Sequence, residues 1–306
     1  MPERKRNRLL EWATPGAELL VGALLLLAAM GTIAFSGELS LRPGFNLFSV
    51  AQDLQVGKEN ATLVEKQVPV LSDEVVTRYL NQLGRRLSGY APNNQAEYAW
   101  QFKVLNSGDI NAFALPGGYI YVNRATLESA QDEAQLAGVL AHEEGHVVLR
   151  HGTHQLSETM LAEKPLEMLG SLVGQDDSLM NRLLQFGIGL GAQSILLHNS
   201  RGMEAQADTE GAYILYQAGY DPRALARFFE IIEQKYPQQT FQFLSDHPNP
   251  GNRIKAVDEE VAELGPAKNW SPGSSEFESV RNHVLALPPP PKPKPPVAAS
   301  PSVGPA

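Results

Sequence analysis

Two histidines lie four residues apart in VLAHEEGHVVLRHG, residues 139 to 152 of the chain. On a helix, positions i and i+4 share a face, so His142 and His146 can present two imidazole rings to one metal ion. Glu143 points to the side of that face, where its carboxylate can reach a water molecule on the metal. Zinc lowers the pKa of such a water to about 7, and a neighbouring carboxylate takes the proton as the water attacks a carbonyl group. The pattern predicts hydrolysis at zinc with Glu143 as the base; the alternative is a solvated helix face that repeats His and Glu.

A catalytic zinc ion needs a third protein ligand and an open fourth position. The chain has no cysteine, so the third ligand must be a histidine or a carboxylate. Glu204 and Asp208 are the best candidates, because both lie on one face of another predicted helix. We expect Glu204 to bind the zinc and Asp208 to accept the free ring N–H of a ligating histidine, although two exposed acids are the alternative. His151 and His154 are expected on the surface, because a continuous helix rotates position 151 away from the metal face.

A further histidine, His247, lies in SDHPNPGNR, residues 245 to 253. Prolines at 248 and 250 restrict the backbone just after it, which suits a task that needs fixed geometry. Two roles are open: the ring stabilises negative charge on the carbonyl oxygen in the transition state, or it occupies the open zinc position in a resting enzyme. Arg253 is expected to orient this loop or to supply a second positive charge. An ordinary loop histidine is the alternative.

These residues must be positioned by a mostly helical domain with a small sheet. Hydrophobic periodicity, caps and turn residues predict the following elements: a helix over 72–87, a strand over 98–106, a second strand over 119–123, a long helix over 131–152, and helices over 202–219 and 221–236. The long helix carries the first two histidines, and the helix from 202 carries Glu204. The predicted fold class is therefore α+β with a predominance of helix.

The second predicted strand follows a Pro-Gly-Gly turn and comes shortly before the long helix. We expect Gly118 to Asn123 to form an edge strand, on which an extended substrate peptide pairs through its main chain. An ordinary internal strand is the alternative. The residues expected to contact the substrate are Gly118, Tyr119, Ile120, Tyr121 and Val122, with Asn111 at the rim.

The N-terminal region predicts a membrane anchor. Arg4, Lys5, Arg6 and Arg8 precede the segment from Leu19 to Phe35, which contains no charged residue. About seventeen apolar residues are the lower limit for a helix that spans a bilayer. The positive-inside rule then keeps the N-terminus in the cytoplasm and places the rest of the chain on the other side of the membrane. A cleaved signal peptide is the alternative.

The sequence divides into five segments: a basic cytoplasmic N-terminus over 1–16, a transmembrane anchor over 17–36, a juxtamembrane segment with a first helix over 37–66, a domain over 67–286 that carries the predicted zinc site, and a disordered proline-rich tail over 287–306. Within the domain, residues 166–198 are apolar and interrupted by glycines. They form either helices that cover the cleft or an element that dips into the membrane. The formal net charge of −9 argues against a nucleic-acid-binding protein.

Residues from about 50 to 265 resemble the HtpX-like and BepA-like zinc metallopeptidases, a family that also includes the Oma-type mitochondrial proteases and the CAAX prenyl proteases. The resemblance rests on NAFALPGGYIYVNRATL, VLAHEEGHVVLRHG, EAQAD and SDHPNPGNRI, in this order and spacing. It implies a gluzincin-type fold with an HExxH helix, a second ligand helix and a small antiparallel sheet. It also implies endopeptidase activity, with one zinc ion bound by His142, His146 and Glu204 and with Glu143 as base.

Together these features predict a single-span, membrane-anchored zinc endopeptidase whose catalytic domain lies on the periplasmic side of a bacterial inner membrane. The resemblance implies unfolded or misassembled envelope proteins as its partners and protein quality control as its role. Two alternatives stay open: a latent, protease-like holdase or assembly factor that binds unfolded chains, and a small-peptide exopeptidase. Only one span is evident and no tetratricopeptide repeat follows the domain, which separates the chain from several branches of the family.

Overall fold

The computed structural model describes residues 41–163, 199–235, 243, 246–247, 253–266, 268–271 and 273–291. These residues form three strands and nine helices: α1 Val50–Gln67, α2 Glu74–Ser88, β1 Gln101–Leu105, β2 Ala112–Leu115, β3 Tyr119–Asn123, α3 Arg124–Ser129, α4 Glu133–Val148, α5 His151–Glu163, α6 Arg201–Ala218, α7 Ala224–Lys235, α8 Arg253–Leu264 and α9 Ser275–Ala286. In this part of the chain no helix is both long and apolar enough to cross a membrane. The predicted anchor and the apolar segment over 166–198 lie outside the described residues.

The three strands form a mixed sheet in the order β1-β3-β2. β2 and β3 are an antiparallel hairpin, and its turn places Gly117 and Gly118 at φ angles of 79° and 100°, where other residues are strained. β1 runs parallel to β3. The prediction of an antiparallel sheet is therefore wrong for this pair. The reason is that β1 pairs with the second strand of the hairpin, which runs in the same direction as β1, and leaves β2 at the outside.

Helix α4 is the centre of the domain, and all of its residues are buried. Asp132 caps its first turn by accepting a hydrogen bond from the Gln135 amide at 2.8 Å. Glycines permit α6 to lie directly against it: a methyl group added to Gly211 would lie 3.1 Å from the His142 backbone nitrogen. A methyl group on Gly145 would lie 3.1 Å from the Ala207 carbonyl oxygen. The two helices that carry the predicted ligands are therefore in backbone contact.

Helix α4 ends earlier than its sequence pattern predicts. Leu149 is its C-cap, and Arg150 adopts a left-handed conformation with φ of 56°. The chain then begins a new helix, α5, at His151, so the prediction of one helix through Gly152 is wrong. Arginine in this conformation is uncommon, and tertiary contacts hold it. Its guanidinium bonds Asp53 of α1, with Nε 2.6 Å from Oδ2, and donates to the Phe48 carbonyl.

Helix α1 packs on the β2–β3 turn. A methyl group added to Gly57 would lie 1.8 Å from the Pro116 carbonyl oxygen, so only glycine permits this approach. Val56 and Val64 of the same helix belong to an apolar cluster with Tyr121 of β3. All of α1 except its last residue precedes residue 67, the predicted start of the domain, but the helix contributes directly to the packing around the sheet.

The C-terminal end of the described domain is held by Arg124, which is itself buried. Its guanidinium donates hydrogen bonds to the carbonyl oxygens of Val284 and Leu287, at 2.8 and 3.1 Å, and also to that of Pro288. Leu287 and Pro288 open the predicted tail, so its first two residues are attached to the domain. Residues 292–306 lie outside the described part of the chain.

Candidate metal centre

Two helices bring the three predicted metal ligands together. His142 and His146, on adjacent turns of α4, place their Nε2 atoms 3.1 Å apart. Glu204, in the first turn of α6, lies with Oε2 3.3 Å from His142 Nε2 and with Oε1 3.3 Å from His146 Nε2. Each of the three side chains is buried. Three donor atoms therefore point at one small volume between α4 and α6.

His247 contributes a fourth donor from another part of the chain. Its Nδ1 atom lies 3.2 Å from His142 Nε2 and 3.2 Å from Glu204 Oε1. The Phe243 ring stacks on the imidazole, with centroids 4.4 Å apart. Asn111, predicted at the substrate rim, donates to Asp246 Oδ2 at 3.1 Å and so contacts the residue next to His247.

The donor set fits a four-coordinate zinc ion. One nitrogen or oxygen from each of the four residues lies within 4.8 Å of all the others. Donors at a bond length of about 2.0–2.1 Å from zinc stand about 3.3 Å from each other at the corners of a tetrahedron. The contacts of 3.1 to 3.3 Å around His142 Nε2 agree with this spacing. The four residues can thus hold one metal ion, with His247 in the fourth position.

Glu143 lies beside this cluster and faces the cleft. Its Oε1 atom is 3.4 Å from His247 Nε2, and the side chain is fully buried. Neither carboxylate oxygen accepts a hydrogen bond from the described residues. Both oxygens therefore remain available to a water molecule or a substrate group at the metal.

Asp208 and His151 each contact a histidine of the cluster from behind. Asp208 Oδ1 lies 3.0 Å from His142 Nδ1, within the distance of an ion pair. His151 Nδ1 lies 2.8 Å from His146 Nδ1, and the ring is only 3% exposed. The prediction that His151 is a surface residue is wrong, because the left-handed turn at Arg150 returns the chain to the metal face. His154 remains partly exposed, and its Nδ1 contacts the Phe45 carbonyl.

The charges around the cluster favour a bound cation. Burial disfavours the cationic form of His142, but the Asp208 and Glu204 carboxylates outweigh it and raise the pKa of His142 to about 10. Glu143 and Glu204 likewise outweigh burial at His247 and raise its pKa. For Glu204, the effect of burial is outweighed by His247 and His146, and its pKa is lowered. In the metal-free protein, protons on the imidazoles therefore supply positive charge that the carboxylates require.

For the other ionisable side chains at the site, burial is the main cause of the pKa shift. Burial raises the pKa of Glu143 and of the adjacent Glu144. It lowers the pKa of His146 well below its usual range and that of His151 to about 4. Both of these imidazoles are therefore neutral at pH 7, and a neutral imidazole is the form that binds a metal.

The strand predicted to pair with substrate is not at the edge of the sheet. β3, which carries Tyr119 to Val122, is paired with β1 on one side and with β2 on the other, so the prediction of an edge strand at Gly118 to Asn123 is wrong. β2 pairs only with β3 among the described residues. Sequence alternation could not reveal this order, because both strands of the hairpin are apolar and pairing order depends on contacts far along the chain.

An open cleft runs beside the cluster. One wall is β2 and its turn, from Phe113 to Pro116; Glu143, His146 and His247 form the metal end. The Asp53–Arg150 ion pair lines it further along. Arg253 begins α8, but its side chain lies outside the described part of the structure, so its role at the loop stays a prediction.

Comparison with known proteins places the site in a family. The profile described as Peptidase family M48 matches residues 74–261, more than half of the chain. The beta-barrel assembly-enhancing protease of Escherichia coli (strain K12) is 28% identical over 285 residues, which cover 88% of this chain and 57% of that protein. The mitochondrial metalloendopeptidase OMA1 of Schizosaccharomyces pombe is 30% identical over 189 residues, which cover 61% of this chain and 53% of that one. The mitochondrial metalloendopeptidase OMA1 of Bos taurus is 31% identical over 214 residues, 65% and 39% of the respective chains.

The chain thus spans little more than half the length of its bacterial relative. The matched range includes both helices of the donor cluster, α4 and α6, together with His247. The relatives' names agree with the metalloendopeptidase class predicted from the sequence. The chain therefore belongs to peptidase family M48. The prediction of a metalloendopeptidase is confirmed at the level of the family.

Proposed function

We propose that the protein is a membrane-anchored zinc endopeptidase that hydrolyses peptide bonds in misfolded or misassembled envelope proteins. The observation that carries the proposal is the meeting of His142, His146 and Glu204 around one volume, with buried Glu143 beside it. Two imidazoles and a carboxylate at this spacing are the ligand set of a catalytic zinc ion.

A zinc ion held by His142, His146 and Glu204 would supply Lewis acidity for the scissile carbonyl and would make a water molecule more acidic. Glu143 accepts the proton of that water and passes it to the leaving amine. Its burial raises its pKa, which suits a carboxylate that must hold a proton between two steps. Asp208 accepts the Nδ1 proton of His142, so the Nε2 lone pair of that ring faces the zinc.

His247 is assigned as a fourth ligand of a resting state. Catalysis requires an open position at the metal, and the His247 ring lies where that position would be. The ring must therefore leave before a substrate carbonyl can approach. Phe243 stacks on the ring and Asn111 bonds Asp246, so these contacts hold the resting arrangement and release would break them.

The substrate is expected to lie along β2. Asn123 donates to the Asn111 carbonyl at 2.8 Å, and antiparallel pairs alternate, so Phe113 and Leu115 also direct their backbone groups at β3. The N–H and C=O of Ala114 then point away from β3. They can pair with an extended peptide, which gives affinity with little side-chain selectivity.

The proposed location rests on the sequence of the N-terminus. The proposed substrates rest on the name of a relative. The apolar segment over 19–35 and the basic residues before it support an anchor with the catalytic domain outside the cytoplasm. One relative is named as a protease that enhances β-barrel assembly, which supports envelope proteins as substrates. A holdase is the second candidate, and the presence of His247 in the donor cluster favours it, since a closed site would not cut.

Cleavage of casein by the zinc-loaded full chain in detergent separates the two candidates. A protease loses activity with a chelator, and Glu143→Gln lowers turnover about 10²- to 10⁴-fold while it retains zinc. A protein that binds casein but leaves it intact, both as wild type and as His247→Ala, would instead be a holdase.

A further inference from the structure

His151 contacts the metal cluster, although a continuous helix would not bring it there. On a continuous helix, a residue five positions after His146 would be rotated about 140° away from it. Here Arg150 interrupts the helix at φ of 56°, and His151 turns back so that the two Nδ1 atoms lie 2.8 Å apart. Arg150 is held in this conformation by Asp53 and by the Phe48 carbonyl. The contact is therefore built by α1, the turn and α5 together.

The opposite nitrogen of His151 has its own partner. Nε2 lies 3.1 Å from Oε1 of Gln206, on α6. Gln206 is two residues from both Glu204 and Asp208, so the helix that carries the third ligand also holds this ring. The ring is thus fixed from both sides, between a ligating histidine and an amide.

Only one arrangement of protons leaves His146 able to bind a metal. If His151 donates from Nδ1, then His146 Nδ1 must accept. A neutral His146 then carries its proton on Nε2, the atom that faces the cluster, and this atom has no lone pair for a metal. If His146 donates instead, its Nε2 lone pair is free for the metal. His151 then accepts at Nδ1 and donates from Nε2, and the oxygen of Gln206 is a matching acceptor.

We infer that His151 is a positioning residue for the metal site: it accepts the Nδ1 proton of His146 and thereby directs the Nε2 lone pair of His146 at the metal. Gln206 fixes the tautomer of His151 that can do so. His146 thus has a neutral imidazole behind it, whereas His142 has the carboxylate of Asp208. The inference rests on the zinc site proposed above, and partners of this kind orient ligands and strengthen metal binding.

The first test is zinc affinity, measured on the full chain in detergent by competition with a chelating dye. His151→Leu removes the acceptor and should lower affinity about 10- to 100-fold, whereas His151→Gln offers an amide oxygen to the same proton and should lower it much less. His154→Leu, on the next turn of α5, is the matched control and should leave affinity unchanged. A merely structural role for His151 would affect the Leu and Gln variants alike, and that result would overturn the inference.

The second test needs no substitution at position 151. In zinc-loaded Glu143→Gln protein with ¹⁵N-labelled histidine, long-range ¹H–¹⁵N spectra report which ring nitrogen carries a proton. We expect a proton on Nδ1 of His146 and on Nε2 of His151. A proton on Nδ1 of His151 would overturn the inference while the zinc site stands. A wild-type chain that binds no zinc would instead overturn the proposed function, and the inference with it.

Discussion

His142 Nδ1 lies 3.0 Å from Asp208 Oδ1, and Asp208 stands one helical turn beyond Glu204 on α6. One helix therefore carries both the proposed third ligand and the group proposed to orient the first. A shift of α6 relative to α4 would disturb both contacts at once, and Gly145 and Gly211 permit the close backbone contact between these two helices.

Zinc binding should depend on His142, His146 and Glu204 together. Alanine at any of the three leaves two of these donors and His247, whose ring must leave during catalysis, so zinc content after dialysis should fall well below that of the wild type. Asp208→Ala should weaken binding about 10- to 100-fold without abolishing it. His283→Ala, a partly exposed histidine paired with Asp73, is the control and should keep full occupancy. Full zinc content in Glu204→Ala would remove Glu204 from the ligand set.

His247→Ala should raise basal casein cleavage by the full chain. If the resting state with His247 at the metal is about 90% populated, its loss can raise the rate about tenfold. Asn111→Ala, which frees Asp246 from its hydrogen bond, should raise the rate by less. A fall of about a hundredfold in His247→Ala would instead identify the ring as a donor to the transition state. Unchanged cleavage and zinc content would make it an ordinary loop residue.

Removal of the Ala114 amide should weaken substrate binding. Ala114→Pro deletes an N–H that points away from β3, at a position where a strand tolerates proline. Ala114→Gly keeps the N–H and is the matched control. We expect the KM for an extended peptide to rise in the proline variant alone, with zinc content equal in both. Equal kinetics in the two variants would remove β2 from the substrate site.

Glu210 should make the stability of the domain depend on pH. The side chain is buried between α4 and α8, and burial, with a contribution from Glu260, raises its pKa from 4.5 to about 8. The folded protein therefore holds a proton that the unfolded chain releases, so stability falls as pH rises between 4.5 and 8. Glu210→Gln cannot ionise and should unfold about 5 °C higher than wild type at pH 8, with no difference near pH 4.

Thermal unfolding of the metal-free protein in chelator provides this measurement. Glu259→Gln is the control, because Glu259 is an exposed carboxylate on α8 that pairs with Lys255. It should melt like wild type at both pH values. A Glu210→Gln variant less stable than wild type at pH 8 would contradict the raised pKa.

The N-terminal segment should remain on the mature protein as a membrane anchor. N-terminal sequencing of protein extracted from membranes should begin at or near Met1. A mature protein that begins beyond Phe35 would show a cleaved signal peptide and a secreted enzyme.

Local spacing predicts the pair of side chains on each helix of the metal cluster, but not that the two pairs and His247 meet. His142 and His146 face one side because four residues are slightly more than one helical turn, and the paired acids at 204 and 208 follow the same rule. The hairpin turn and β3 could also be predicted, since a Pro-Gly-Gly sequence and alternating residues are local signals.

Contacts between segments that are far apart in the sequence could not be predicted from local spacing. The central position of β3 depends on its pairing with β1, which helical or strand periodicity does not encode. The break at Arg150 involves no glycine or proline, and an ion pair with Asp53, far along the chain, holds it. The prediction for His151 is wrong for that reason. The prolines near His247 indicate a fixed loop but not the atoms that it faces.

The close packing of Gly57 on Pro116 has a practical consequence for work with fragments. A soluble fragment that starts at residue 67 would lack α1, expose the apolar side of the β2–β3 turn, and leave Arg150 without Asp53. Such a fragment would be inactive or aggregated for reasons unrelated to zinc. Expression trials and crystallisation should therefore begin upstream of Phe48, whose carbonyl also bonds Arg150.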